Sequence, residues 1–284
     1  FDYVFKGEAA KSFPDFCRDY LNASNRSEFT GNINPANYAG IYSLSMGFMD
    51  SPVTHLSKEV IDQCPIPDRA GFDHSKYQAL SYGDSGKKMT SIMMSYGCPF
   101  SCEFCSKPIF GSEVRFRSLD KVFEEIRDIV SYGYDSLWIA DDLFTCDVQF
   151  LKSFCSRLID EGPQISWSCL SRVDSVTDEV VRVMKSAGCS KVHFGIESGN
   201  DYVLKLMNKK IDIAKITRGV RMFKGNGIDC AGFFIVGYPG ETVETIEETF
   251  DFALSLGLDE ISFNVPYPLP GSKLYERVSD VSDD

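Results

Sequence analysis

The stretch Thr90-Ser91-Ile92-Met93-Met94-Ser95, running on into Gly97-Cys98-Pro99-Phe100-Ser101-Cys102-Glu103-Phe104-Cys105, decides how the rest of the chain is read. A short apolar run of strand length feeds a loop in which three cysteines are separated by three and then two residues. A helical period follows over residues 119–131, where Val122, Ile126, Ile129 and Val130 share a face and Ser118 is placed to cap the N-terminus. The same rhythm continues outward. Strands are expected at 136–140, 165–168, 191–196, 229–236 and 260–265, alternating with helices at 148–161, 178–187, 213–226 and 243–256. Serial β–α units imply a parallel sheet with right-handed crossovers. The expected fold class is α/β, a partial six-unit TIM-like barrel over residues 90–284, open rather than closed eightfold. Chemistry in such folds gathers at the C-terminal ends of the strands. The cysteine loop and every other unusual motif fall there.

The front of the chain has a different texture. Residues 1–5 read as a strand and 9–21 as a helix, followed by Asn- and Gly-rich stretches and by Pro65-Ile66-Pro67-Asp68-Arg69. Residues 1–30 are therefore expected to close one domain and 31–89 to link it to the barrel. The first residue is Phe1 rather than Met, and the chain reads as a segment of a longer protein.

Composition narrows the function. An apolar fraction of 43% and an aromatic fraction of 13% are ample for a packed core. A net charge of −12 argues against electrostatic capture of nucleic acid or of an anionic membrane, leaving a small molecule, a lipid or a peptide as substrate. No apolar run approaches the roughly 20 residues of a membrane span, and no signal peptide opens the chain. Cys17, Cys64, Cys146, Cys155, Cys169, Cys189 and Cys230 are scattered, and read as buried thiols of a cytoplasmic protein in a reducing cytosol.

The three clustered cysteines are the informative ones. Iron–sulfur clusters usually take four cysteines; three leave one iron free to bind a substrate molecule. A zinc site wants four ligands, and only the remote His55 and His74 lie upstream to complete one. An electron-transfer ferredoxin would carry its own fourth cysteine. These two alternatives stay open beside the catalytic reading.

On its Cys-x-x-x-Cys-x-aromatic-Cys loop the chain resembles the radical S-adenosylmethionine (SAM) superfamily, over most of residues 85–276. Gly195-Ile196-Glu197-Ser198-Gly199, Gly232-Phe233-Phe234-Ile235-Val236-Gly237-Tyr238-Pro239-Gly240-Glu241-Thr242 and Pro268-Leu269-Pro270-Gly271-Ser272 are similar to later motifs of one branch, which includes cobalamin-binding enzymes and methylthiotransferases. The resemblance implies that Cys98, Cys102 and Cys105 are the catalytic and metal-ligating residues. They would hold a 4Fe–4S cluster whose open iron chelates SAM and whose electron cleaves it to methionine and a 5′-deoxyadenosyl radical. Phe104 and Ser198 lie within these motifs as cofactor contacts.

The remaining site residues are weighed one by one. Ala140-Asp141-Asp142 departs from the Gly-Gly-Glu common in the superfamily; either carboxylate suits the SAM amino group, and a helix-start acidic pair is the rival reading. Ser168 and Arg172 share one parity on the third strand. Arg172 there suits the SAM carboxylate, and a surface salt bridge suits it equally. Glu197 at the mouth of the fourth strand is implied to meet the ribose hydroxyls, while His193 below it reads as a satisfied core histidine. Gly232 and Gly237 let backbone approach a flat ligand, and the resemblance suggests adenine contacts near Ile235 and Gly237. Glu241 reads as structural and Thr242 as a helix cap. The front segment is similar to the closing strand and helix of a cobalamin-binding domain, which adds cobalamin to the implied cofactors. C-methyl transfer is then the leading outcome, with cyclisation, oxidation or methylthio transfer as alternatives, and a flavodoxin or ferredoxin as reductant.

Overall fold

Each barrel strand alternates residues that pack under helices with residues that face inward, and this alternation sets the layers. The computed structural model of the chain describes residues 3–43, 55–77, 86–106 and 110–279. Phe1 and Asp2 of the expected first strand, parts of the expected linker and residues 280–284 lie outside them. The front comprises β1 (Tyr3–Phe5), α1 (Ser12–Asn22), α2 (Arg26–Gly31), β2 (Ile41–Ser43) and α3 (Lys58–Gln63). The barrel begins with β3 (Met89–Ile92), the short hairpin strands β4 (Ser95–Tyr96) and β5 (Arg115–Phe116), α4 (Leu119–Ser131) and β6 (Ser136–Ile139). It continues through α5 (Val148–Glu161), β7 (Ser166–Ser171), α6 (Asp178–Ser186), β8 (Cys189–Glu197), α7 (Asp201–Leu206) and α8 (Ile213–Gly225). It ends with β9 (Asp229–Ile235), α9 (Val243–Ser255), β10 (Glu260–Asn264) and α10 (Lys273–Ser279).

The six long strands form one parallel sheet in the order β10-β9-β8-β7-β6-β3, with β3 and β10 at its two edges. This is the open six-unit barrel expected from the β–α rhythm. Leu137, Ile139, Trp167, Val192, Phe194 and Phe234 point outward into one core with Phe123, Phe154, Met184 and Phe223 from the helices. Burying a side chain of this size contributes about 1.5–3 kcal/mol. Trp167 satisfies its one polar atom by donating Nε1–H to the Ala187 carbonyl at 2.7 Å.

Three features were not legible beforehand. The cysteine loop is flanked by the β4–β5 hairpin, whose two-residue strands show no periodicity. Helix α7 is six residues long, too short for a helical period to appear. In the front, β2 pairs antiparallel with β1, and Ile33, Tyr38 and Ile41 share an aromatic core with Phe16, so this packing runs past residue 30 into the stretch read as linker.

Two buried ion pairs anchor the front and the linker to the barrel. The Glu8 carboxylate accepts both Arg115 terminal nitrogens, at 2.8 and 2.5 Å, joining the front to the hairpin that borders the cysteine loop. Glu125 of α4 accepts from Arg69 of the Pro-rich stretch and from Arg117, each at 2.6 Å. Among the described residues, no helix is long and apolar enough to cross a membrane.

Candidate active site

Gly97 opens the cysteine loop at φ +91°, and a Cβ there would strike the carbonyls of Glu113 and Phe110; only glycine lets the hairpin close this tightly. The loop then crosses the C-terminal mouth of the sheet. Cys98, Cys102 and Cys105 line one cavity of about 210 Å³ together with Phe100, Phe104, Asp142, Leu143, Leu170, Ser171, Arg172, Gly195, Glu197, Lys209 and Phe233. The strands supply its walls and the loop its lid. Cys98 and Cys102 are half-buried and Cys105 is exposed. Among the described residues, no three His, Cys, Asp or Glu side chains converge as ligands of a single metal ion. A cubane makes a different demand, since each thiolate binds its own iron, and thiols spaced around a shared mouth meet that demand.

The acidic pair at the end of β6 divides its labour. Asp141 is fully buried, and its carboxylate accepts the Met94 backbone N–H at 2.7 Å and the Ser95 hydroxyl at 2.6 Å. Burial pushes its carboxyl up to about 6 despite those hydrogen bonds. It braces the turn between β3 and β4 and does not line the cavity. Asp142 is exposed at the rim and does line it.

Glu197 occupies the mouth of β8 at φ +71°, where the β8–β9 register shifts between Gly195 and Glu197. A left-handed backbone is costly for a residue with a Cβ and gathers where the surrounding structure enforces it. The carboxylate pairs at 2.8 Å with the ammonium of Lys209, which is buried in the same cavity. Burial alone would lower the Lys209 pKa, but the charges of Glu197 and Cys102, with the Glu197 hydrogen bond, together outweigh it, and the shift is upward. A Cβ on Gly195 would lie 2.8 Å from the Lys209 ammonium, so the glycine is the floor on which the pair rests. Lys209 was missed in the sequence because nothing in Met207-Asn208-Lys209-Lys210 marks it as more than a solvated basic run.

Arg172 reaches the cavity wall, as its strand parity implied, but its guanidinium is already engaged. Nε and Nη2 donate to Asp174 at 3.0 and 3.1 Å, Nη1 donates to the Lys209 carbonyl at 3.1 Å, and the Phe100 ring lies 4.0 Å from the guanidinium carbon. It forms an ion pair with the partly exposed Asp174 and, through Phe100, stitches the wall to the cysteine loop.

Several expected residues sit beside the cavity rather than in its lining. Ser168 is buried in the sheet below, with its hydroxyl 3.5 Å from the Leu137 carbonyl. Ser198 is turned away: its hydroxyl contacts Thr249 of α9 at 3.1 Å and accepts the Asn200 N–H, bracing the turn after β8. Ile235 packs with Val203, Met207 and Tyr238, against Phe104 of the cysteine loop. Gly237 lies beyond β9 at φ +85°. Gly232 faces Leu258 and Ile196, so its missing Cβ serves packing against the helix layer rather than the approach of a flat ligand. His193 lies half-buried in the lumen between the rings of Trp138 and Phe233. Glu241 accepts the Tyr238 N–H at 2.7 Å, and Thr242 caps α9 through a reciprocal pair of bonds with Thr245.

Comparisons with known proteins agree with this geometry. An uncharacterized methyltransferase of Pyrococcus horikoshii is 35% identical over 218 residues, covering 76% of this chain and 46% of that protein. The anaerobic magnesium-protoporphyrin IX monomethyl ester cyclase of Rubrivivax gelatinosus is 31% identical over 208 residues, covering 72% of this chain and 38% of that protein. The chain thus spans less than half the length of these relatives. Among solved structures, the radical SAM methyltransferase TsrM of Kitasatospora setae, with cobalamin and a 4Fe–4S cluster bound, superimposes on 99% of this chain and 56% of its own, with a TM-score of 0.75 at 17% identity. The model of the Radical SAM superfamily matches residues 92–253, from the end of β3 into α9. With its cysteine loop on the mouth of an open six-unit barrel, this chain belongs to the radical SAM superfamily, whose domain implies a 4Fe–4S cluster and SAM as cofactors.

Proposed function

We propose that this chain is the catalytic barrel of a cobalamin-dependent radical SAM methyltransferase. One observation carries the reading: Cys98, Cys102 and Cys105 line the same cavity as Asp142, Glu197 and Lys209. The three thiolates hold the cluster and leave one iron to the cofactor. When bound, the cluster supplies the electron that cleaves SAM to methionine and a 5′-deoxyadenosyl radical. Asp142 at the rim would accept a hydrogen bond from the SAM amino group, and Asp141 holds the turn behind it. Glu197 would accept from the ribose hydroxyls, and the Lys209 ammonium would meet the SAM carboxylate. Arg172 and Phe100 close the wall, and Phe104, Ile235 and Gly237 form the side on which the adenine rests. Ser168 and Ser198 support this site from behind.

The barrel would orient SAM and keep water from the radical, which is where the protein contributes most in cofactor chemistry. The similarity to a methyltransferase and to a structure holding cobalamin supports methyl transfer, to a small-molecule, lipid or peptide carbon, with a flavodoxin or ferredoxin as electron donor in the cytoplasm. The test is anaerobic reconstitution of the full-length protein with iron and sulfide, then incubation with dithionite and SAM. Release of 5′-deoxyadenosine, lost in C98S, C102S and C105S, is the expected result; its absence from the wild type rejects the reading. Corrin absorption bands in the full-length protein purified without oxygen test the cobalamin part separately.

A further inference from the structure

The described chain contains three non-glycine residues with positive φ: Glu197 at +71°, Asn208 at +53° and Lys210 at +56°. Glu197 lines the active-site cavity, and the other two flank Lys209, which also lines it, in the short strap Met207-Asn208-Lys209-Lys210 that follows α7. This strap grips the cysteine loop on both sides of one cysteine. Asn208 Nδ2 donates to the Ser101 carbonyl at 2.7 Å and lies 3.1 Å from the Ser101 hydroxyl. The Glu103 N–H donates to the Met207 carbonyl at 3.1 Å. Cys102 therefore stands between two residues that are each tied to the strap, across more than a hundred positions of sequence. From its far side Glu103 is held again, by Arg277 of α10 at 2.8 Å and, at 3.5 Å, by the Tyr238 hydroxyl.

We propose that Asn208 is a positioning residue for the iron–sulfur cluster: its side-chain amide fixes the backbone beside Cys102 so that this thiolate stays on its iron. The proposal rests on the assignment of Cys102 as a cluster ligand. Asparagine suits the position on two counts, since it tolerates the left-handed backbone and its amide supplies a donor that the Ser101 carbonyl would otherwise lack. Groups that orient metal ligands without touching the metal change affinity about 10- to 100-fold when removed.

The experiment uses the full-length protein, reconstituted anaerobically, in four forms: wild type, N208A, N208G and C102S. Iron release to a chelator is followed with time, the EPR signal of the dithionite-reduced cluster is recorded, and far-UV circular dichroism gives the thermal midpoint. N208G keeps the left-handed backbone accessible and removes only the amide, so it remains informative where N208A is unstable. The expected result is iron loss roughly tenfold faster in N208G than in wild type, with an altered EPR signal and an unchanged midpoint. Wild-type iron retention in N208G overturns the proposal, because the backbone conformation alone would then suffice. C102S separates the two levels of inference. A normal four-iron cluster in C102S rejects the ligand assignment and the proposal with it, whereas its loss alongside wild-type behaviour of N208G rejects the proposal alone.

Discussion

Strand β8 carries a buried ion pair at each end, and the two pairs are built differently. Near its start, Lys191 is 1% exposed and donates to Glu260 of β10 at 2.7 Å, beside a shift in the β7–β8 register but with no left-handed residue. At its end, Glu197 meets Lys209 at 2.8 Å through a left-handed residue, a register shift and a strap with two further positive φ angles. A pair set on backbone free of left-handed residues indicates a role in holding the fold. Strain around a buried pair indicates that the fold is bearing a cost for a site. The inner pair ties β8 to β10 across the lumen, and the outer pair faces a cavity lined by three cysteines.

Substitutions at the two ends should therefore part company. The largest effect is expected at the mouth: K209M and E197Q should each weaken SAM binding to the reconstituted protein by roughly tenfold or more, since a charge-assisted contact is lost in a buried site. Equilibrium dialysis with labelled SAM measures this, and wild-type affinity in both variants would end the distinction. At the inner end, K191M should leave SAM affinity of the folded protein unchanged and lower stability by less than the ~3 kcal/mol of a fully buried pair, because Glu260 keeps contact with solvent. Denaturant unfolding reads that loss.

A pH dependence sharpens the comparison, because it concerns a buried carboxylate with no cationic partner in hydrogen-bond contact. Asp141 ionises at about 6 in the folded chain, against an ordinary 3.8. Between those values the folded state holds a proton that the unfolded state has released, so stability should fall as pH rises from about 4 to about 6 and then level off, by about 3 kcal/mol in total. D141N should flatten that part of the profile, and an unaltered slope would assign it elsewhere. The smallest effect is expected for Cys146, whose thiol is pushed up to about 12 by burial, with Cys98 and Asp141 adding to the shift. A thiol that stays protonated makes a poor ligand. C146S should keep the wild-type iron content and EPR signal, and loss of iron would identify a fourth protein ligand to the cluster.

Much of this architecture is legible in the order of residues. Apolar periodicity places the six barrel strands and the five long helices that follow them, because each has one face against a common core and repeats it often enough to be seen. Short elements escape that reading: β4, β5 and α7 are held by the turns and contacts around them. Within the site, the cysteines and Glu197 announce themselves by spacing and by strand parity. The choice between Asp141 and Asp142 does not, since adjacent carboxylates look alike until one is seen to accept from Met94 and Ser95 while the other stands at the rim. Nor does the motif around Ser198 show that its hydroxyl contacts Thr249 of α9.

By itself the sequence determined the β–α series, the end of the sheet at which its unusual motifs gather, and the close spacing of three cysteines on one loop, since these depend on local periodicity and on residues close together in the chain. Only the tertiary structure decided which carboxylate faces the cavity, that Arg172 is engaged by Asp174, that Asn208 bonds Ser101 of the cysteine loop and that Lys209 pairs with Glu197. Those outcomes depend on contacts between segments far apart in sequence and on backbone angles that the packed fold imposes. No local pattern encodes them.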